Sequence, residues 1–328
     1  MTHHKVNILI SLLALFLSGC GQGAKERIIE HFPVDKTLKA ERVAALDTMY
    51  AAYAVALVGD RYVLTCKRAP CFFYVYDRQF RPVASLAVPG NGEGEWLAPV
   101  YTGQSQCAKG TTEMYVLERP TQKLYKVPLR QDARREDVAD LSNRQLDNLR
   151  YAFRIGNGQY VGAQDDGQCL PFILNEEKKT ELTHPLPDAD KMGDKARLLL
   201  QTQGTLRHGN DLWADAYYSF PMVVIRQADG TMKEVVKIGR QWPRRVKEQD
   251  EPADYCLDIC SSPEAIYILF NDPSLPKESS VVAIGWDGIP LARYHIQRAT
   301  AMTVDEAAKC IIAINEDEDC GMFSRYRL

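Results

Sequence analysis

Nine cysteines and six histidines are the residues of this 328-residue chain best suited to nucleophilic or metal chemistry. Their spacing offers little of either. Cys256 and Cys260 flank Leu257-Asp258-Ile259, but no second Cys or His pair stands at ligand spacing, and structural zinc wants two such pairs. His31, His184, His208 and His295 are isolated from one another, which suits surface or turn histidines better than bases or ligands. Gly103-Gln104-Ser105-Gln106-Cys107 approaches a nucleophile elbow but lacks the closing glycine and the strand–turn–helix context. Asp188, Asp190 and Asp194 beside Gly193 sketch a calcium loop, yet Met192 and Leu199 occupy ligand positions, so the segment reads as a solvated loop. Glu316-Asp317-Glu318-Asp319 reads the same way. Gly90, Gly92 and Gly94 alternate as in a phosphate cradle, but Trp96-Leu97-Ala98-Pro99 is a poor helix start and a dinucleotide site needs a helix there. No metal and no cofactor is expected.

One cysteine does have a chemistry written around it. His3-His4-Lys5 give a polar, basic start, Val6 to Leu17 is apolar except for Asn7, and Leu17-Ser18-Gly19-Cys20 follows. An apolar run of this length is too short for a mature membrane span but suits an export signal. Ser18 and Gly19 leave the backbone before Cys20 accessible to a peptidase. The sequence resembles the bacterial lipobox, whose cysteine is diacylated and becomes the new N-terminus. The chain accordingly divides into a signal peptide (1–19), a flexible lipid-anchored tether (20–38, polar and charged) and one folded domain (39–328). The remaining eight cysteines face an oxidising compartment, where an even number points to disulfides. Cys66 and Cys71 flank Lys67-Arg68-Ala69-Pro70, a hairpin-like spacing that makes them the disulfide candidate. The net charge of −3, with acids and bases interspersed and no basic stripe, excludes nucleic acid as an expected partner.

The elements that would position any site are strands. A turn signal followed by a strand recurs six times: Gly59-Asp60 before Tyr62, Thr111-Thr112 before Met114, Gly156-Asn157-Gly158 before Tyr160, Gly209-Asn210-Asp211 before Leu212, Pro263-Glu264 before Ile266, and Ala307-Ala308-Lys309 before Cys310. The period is roughly 45 to 54 residues, within the range of propeller blades. A second hairpin follows each of the first five, with Asp229-Gly230 and Asp287-Gly288 as strong hairpin turns. The expected fold is all-β: a six-bladed β-propeller of four-stranded antiparallel blades. The sixth unit ends with Met322–Tyr326 as its last strand and is one strand short. Val43-Ala44-Ala45-Leu46 is expected to supply it, so that an N-terminal strand joins the last blade. Asp132 to Leu149, charge-rich and poor in β-branched residues, is expected to hold a helical insertion.

Gly90-Asn91-Gly92-Glu93-Gly94-Glu95-Trp96-Leu97-Ala98-Pro99 resembles the Gly-x-Gly-x-Gly-Glu-Phe…Pro connector of NHL-like propellers. With the lipobox, it makes the chain similar to the Bacteroides-type six-bladed propeller lipoproteins related to TolB-like folds. Glu93 stands where that connector commonly has proline. The resemblance implies a scaffold more than an activity. Read from the residues alone, Trp96 is expected to bury a large face between blades and Glu95 to accept turn N–H groups.

In an up-and-down blade the second-to-third loops and the blade-to-blade connectors share one face. Varied loops on a rigid scaffold are the usual place for binding. The ligand-binding candidates there are Arg68, Arg119, Asp165, Asp166, Tyr217, Tyr218, Asn271 and Asp272, types suited to a glycan or peptide by stacking and directional hydrogen bonds. The reading is a lipid-anchored envelope protein that binds a glycan, peptide or envelope protein without catalysis, its membrane contact made by the lipid on Cys20. Gly21 gives no inner-membrane retention signal, so the expected location is the outer membrane of a Gram-negative cell. The alternatives are a carbohydrate-active hydrolase or lyase on the same scaffold, and a structural envelope component.

Overall fold

The computed structural model describes residues 24–328 apart from residues 50, 68, 109, 143–145, 147, 157, 166–168, 176–177, 187–188, 190–198, 240–253 and 317–321. Three short strands come first: β1 (Lys25–Ile29), β2 (Asp35–Thr37) and β3 (Ala40–Arg42). Blade 1 is β4 (Ala52–Val58), β5 (Arg61–Cys66), β6 (Phe73–Tyr76) and β7 (Pro82–Leu86). Blade 2 is β8 (Pro99–Ala108), β9 (Thr111–Glu118), β10 (Lys123–Pro128) and β11 (Glu136–Asp140). Blade 3 is β12 (Leu149–Gly156), β13 (Gln159–Gln164), β14 (Pro171–Leu174) and β15 (Lys179–Glu181). Blade 4 is β16 (Thr202–Leu206), β17 (Leu212–Tyr217), β18 (Met222–Gln227) and β19 (Met232–Ile238). Blade 5 is β20 (Cys256–Ser261), β21 (Ala265–Phe270), β22 (Glu278–Gly285) and β23 (Pro290–Gln297). Blade 6 is β24 (Ala299–Asp305), β25 (Cys310–Asn315) and β26 (Phe323–Arg327), with β3 as its outer strand. The fold is thus the expected six-bladed propeller, each blade a meander of four antiparallel strands.

Middle strands such as β17, β21 and β25 are buried along their whole length, because each blade packs a neighbour on both faces. Apolar clusters fill the wedges between blades. Val58, Phe73 and Leu86 of blade 1 meet Met114, Val116 and Tyr125 of blade 2, and Leu212, Val223 and Val236 of blade 4 meet Ile266, Val282 and Trp286 of blade 5. Trp96, from the glycine-rich connector, is 4% exposed in the first of these wedges. Its ring lies edge-on to Tyr125 at 5.1 Å, and the Arg135 guanidinium covers it at 4.6 Å. The Glu95 carboxylate accepts the Gly92 N–H at 2.7 Å and so closes the connector turn.

Four expectations are corrected. The strand that completes blade 6 is Ala40–Arg42, paired antiparallel with Ser324–Tyr326, whereas Ala44–Leu46 forms a turn of 3-10 helix. Burial favours that register: Val43 and Leu46 are drawn into the wedge between blades 6 and 1, while Glu41 takes an exposed ion pair from each of Arg325 and Arg327 at 2.9 and 2.8 Å. The segment expected to be a flexible tether is pinned from Lys25 onward. β1 adds in parallel to the outer edge of β19 and β2 to that of β23, and Ile29 and Phe32 plug into the wedge between blades 4 and 5. An open sheet edge is a standing invitation to pairing, and this segment occupies two of them. The expected helical insertion at 132–149 holds instead the outer strand β11. Finally, Cys66 and Cys71 are free thiols. The register explains it: Thr65 pairs with Phe73 and the Cys66 N–H donates to the Phe72 carbonyl at 2.8 Å. Cys71 is therefore one position past the residue opposite Cys66.

Replacing Trp96 with Ala removes the largest side chain of the blade 1–2 wedge, and urea unfolding is expected to show a loss of about 3–5 kcal/mol.

Candidate functional site

The first strand of every blade lines a central channel, and all six contribute to one cavity of about 330 Å³. Strands 2 and 3 of each blade are joined on the face called upper here, where the connectors also arrive. The hairpin turns between strands 1 and 2 and between strands 3 and 4 lie on the lower face.

At the upper rim Asp165, just after β13, gathers three donors. Arg119 Nη2 lies at 3.2 Å from its Oδ2, Arg150 Nη1 at 3.5 Å from its Oδ1, and Gln201 Nε2 donates to Oδ1 at 3.2 Å. Arg119 comes from the β9–β10 loop, Arg150 from the start of β12, and Gln201 from the residue before β16. One carboxylate thus ties blades 2, 3 and 4 together at the mouth. An arginine has five N–H donors, so Arg119 and Arg150 keep donors beyond those spent on Asp165. Arg150 also lines the cavity. Around the rim, Lys67 Nζ sits 4.5 Å from the Tyr53 ring centroid. Arg298 pairs with Glu316 at 2.9 Å. Burial, and then the Asp254 carboxylate to which it is hydrogen-bonded, push the Tyr218 hydroxyl up to about 12.

Inside the channel, Asp258 on β20 is the one carboxylate among the described residues lining the cavity. Its Oδ1 accepts the Ile259 N–H at 2.9 Å and its Oδ2 the Met302 N–H of β24 at 2.8 Å. Burial outweighs both bonds and pushes its carboxyl up to about 7. Nearby, Cys260 Sγ lies 3.9 Å from Met302 Sδ. Burial first, then the Asp258 charge, raise its thiol to about 12, which leaves it far from a thiolate. Burial also raises the Tyr101 hydroxyl. Two glycines shape the wall. Gly103 has φ 89°, a left-handed conformation open to glycine, at the irregularity of β8 between Tyr101 and Ser105. At Gly204 a Cβ would overlap the Tyr151 ring. That ring is fixed by its hydroxyl, which bonds Thr202 Oγ1 at 3.2 Å and the Asp215 carboxylate. Asp215 is buried with Arg226 at 3.2 Å, and the pair belongs to the wall between blades 3 and 4.

Of the residues singled out in the sequence, Arg119, Asp165 and Tyr218 come together at the mouth. Tyr217 is fully buried, its hydroxyl 2.7 Å from His184 Nδ1. Asn271 is buried and its Oδ1 accepts the Ser279 hydroxyl at 2.7 Å. Asp272 caps a turn through the N–H and hydroxyl of Ser274 at 2.9 and 2.6 Å. These three build the loops and do not line the cavity. Cys20, Arg68 and Asp166 lie outside the described residues. Sequence reasoning missed Arg150, Gln201, Tyr53 and Asp258. The first three stand where connectors enter first strands on the upper face, and the topology argument applied to connector ends would have found them. An acidic residue in mid-strand at Leu257-Asp258-Ile259 was the signal for the fourth.

The fold and this mouth define a six-bladed propeller whose channel, of mixed polar and apolar lining, is rimmed by arginines. No family model matches the chain, and no curated protein matches it. Among solved structures, it resembles a member of the DUF4221 family from Bacteroides vulgatus at 9% identity and a TM-score of 0.53, over 88% of this chain and 97% of that one. The Cps50 (Swd1) β-propeller domain of Myceliophteria thermophila aligns at 10% identity and a TM-score of 0.47, over 92% of this chain and 100% of that one. At 9% identity the likeness to the Bacteroides vulgatus protein speaks for the fold alone.

The Asp258 carboxyl predicts a pH dependence. Its pKa in the folded protein lies above the ordinary 3.8, so folding favours the protonated acid. The stabilisation is complete at low pH and is lost as pH rises from about 4 through about 7. Thermal melts should show this downward slope, with Asp215, which burial also raises, adding to it. Asp258→Asn should flatten the slope.

Proposed function

We propose that this protein is an exported lipoprotein, acylated on Cys20 and held at the outer membrane of a Gram-negative cell, that binds an acidic, hydroxyl-rich ligand such as the end of an acidic glycan at the upper mouth of its channel. It would then stand with the NHL/TolB-like propeller lipoproteins that its connector resembles. The observation that carries the binding reading is the convergence of Arg119, Arg150 and Gln201 on Asp165 at the rim of a cavity that also holds Asp258. Arg150 faces both. Its unused donors suit a ligand carboxylate bound side-on, while Tyr101, Gln203, Thr300 and the Asp258 carboxyl offer the cavity wall a set of partners for hydroxyl groups.

The hydrolase reading asks for a second carboxylate opposite the first. Retaining and inverting glycosidases hold two carboxyl groups about 5–9.5 Å apart. Among the described cavity residues Asp258 has no such companion, so the mouth supports binding better than hydrolysis.

Two outcomes check the proposal. In a glycan-array screen followed by calorimetry on the Cys20→Ala protein, Arg150→Ala should weaken the best acidic ligand by about 10–100-fold, the worth of a lost charge-assisted hydrogen bond. An unchanged affinity defeats the assignment of the mouth. In cells fed labelled palmitate, the wild-type protein should take up label and Cys20→Ala should not.

A further inference from the structure

The N-terminal strand fixes which way the propeller faces its membrane. β19 is the fourth strand of its blade and climbs from the lower face to the upper. β1 pairs with it in parallel, Lys25 opposite Glu234 and Ile29 opposite Ile238. The chain therefore enters β1 from below, at the outer edge of blade 4. Cys20 is five residues before Lys25, a reach of at most about 18 Å even when fully extended. To bring the upper loops to a bilayer, that segment would have to reverse direction. It would then climb the roughly 13 Å from Lys25 to Ile29 and pass the loops above them. The lower face needs no reversal.

The lower face also carries the chemistry for such a contact. The turn between β22 and β23 projects Ile289, and the start of β23 projects Leu291, 45% and 40% exposed. Lys233 lies beside this turn, its Nζ donating to the Trp286 carbonyl at 3.1 Å. Apolar side chains flanked by a lysine suit the boundary between headgroups and acyl chains. Blade 5 adjoins blade 4, where β1 begins.

We propose that the lower face is the membrane-facing surface of this protein, with Ile289 and Leu291 at the lipid headgroup boundary and the arginine-rimmed mouth opening away from the bilayer. The proposal rests on the lipid anchor at Cys20 and is independent of what the mouth binds. It makes the lipid a device for orientation as well as for retention, since the pinned β1 leaves little play between anchor and propeller.

Two tryptophan reporters in one blade test it. Ile289→Trp is on the lower turn, and Leu275→Trp is on the upper loop, where Leu275 is 44% exposed. The full lipidated protein is reconstituted into phosphatidylethanolamine–phosphatidylglycerol vesicles with brominated acyl chains. Quenching of Ile289→Trp should exceed that of Leu275→Trp by at least about threefold, as expected for a side chain at the acyl boundary. A flexible Gly/Ser insert of about twenty residues between Ala24 and Lys25 should erase the difference while the lipid stays attached. Equal quenching of the two reporters, stronger quenching at Leu275→Trp, or indifference to the insert overturns the proposal. Failure of the anchor shows separately, as Cys20 without palmitate and protein that stays off the vesicles, and overturns both readings. Loss of glycan binding alone moves none of these signals.

Discussion

The innermost strand of each blade has a free edge, and the backbone groups on that edge must find partners in a channel that no further strand enters. Neighbouring blades meet this need with side chains. Thr303 Oγ1 accepts the Leu57 N–H at 3.0 Å, joining blades 6 and 1. Gln104 clasps Arg154 twice, accepting its N–H at 2.9 Å and donating to its carbonyl at 2.7 Å, and so joins blades 2 and 3. Gln203 donates to the Leu257 carbonyl at 2.9 Å between blades 4 and 5, and Asp258 accepts the Met302 N–H between blades 5 and 6. A buried polar group left unmatched costs about 1–3 kcal/mol, so these contacts determine how closely the blades approach one another.

The same constraint sets polar groups among the apolar residues of the channel wall. Residues placed to satisfy backbone groups are, by that placement, a ring of donors and acceptors around a cavity. Asp258 shows both sides of this. It bridges two blades through its oxygens, and it remains the acidic group facing the space between them. Asp165 does comparable work at the rim, where it holds Arg119, Arg150 and Gln201 from three blades in one arrangement. The side chains that hold the blades together are thus also the ones that face the channel and its mouth.

What the sequence disclosed follows from range. Turns such as Asp229-Gly230 and Asp287-Gly288 and the runs between them are local, and they announced blades at a regular period. Glu95 closes its own connector turn and Trp96 fills the wedge beside it, as that segment suggests. Two of the misreadings arose where partners lie far off. The closing strand was shifted because its partner, Ser324–Tyr326, lies nearly the whole chain away. Residues 25–37 looked like a tether because their partners, β19 and β23, cannot be guessed from a short polar stretch. Arg150 and Asp258 acquire meaning only when six distant strands converge, and no spacing in the chain encodes that convergence.

The pairing of Arg42 with Ser324 has a consequence for biogenesis. The first-made part of the ring waits for the last-made part before it can close. Bringing ends so distant together carries a loop-closure penalty, and folds dominated by such non-local contacts form slowly. The wheel therefore stays open until β26 has been made. That strand acts as the latch of the ring, since β3 has no other partner in blade 6.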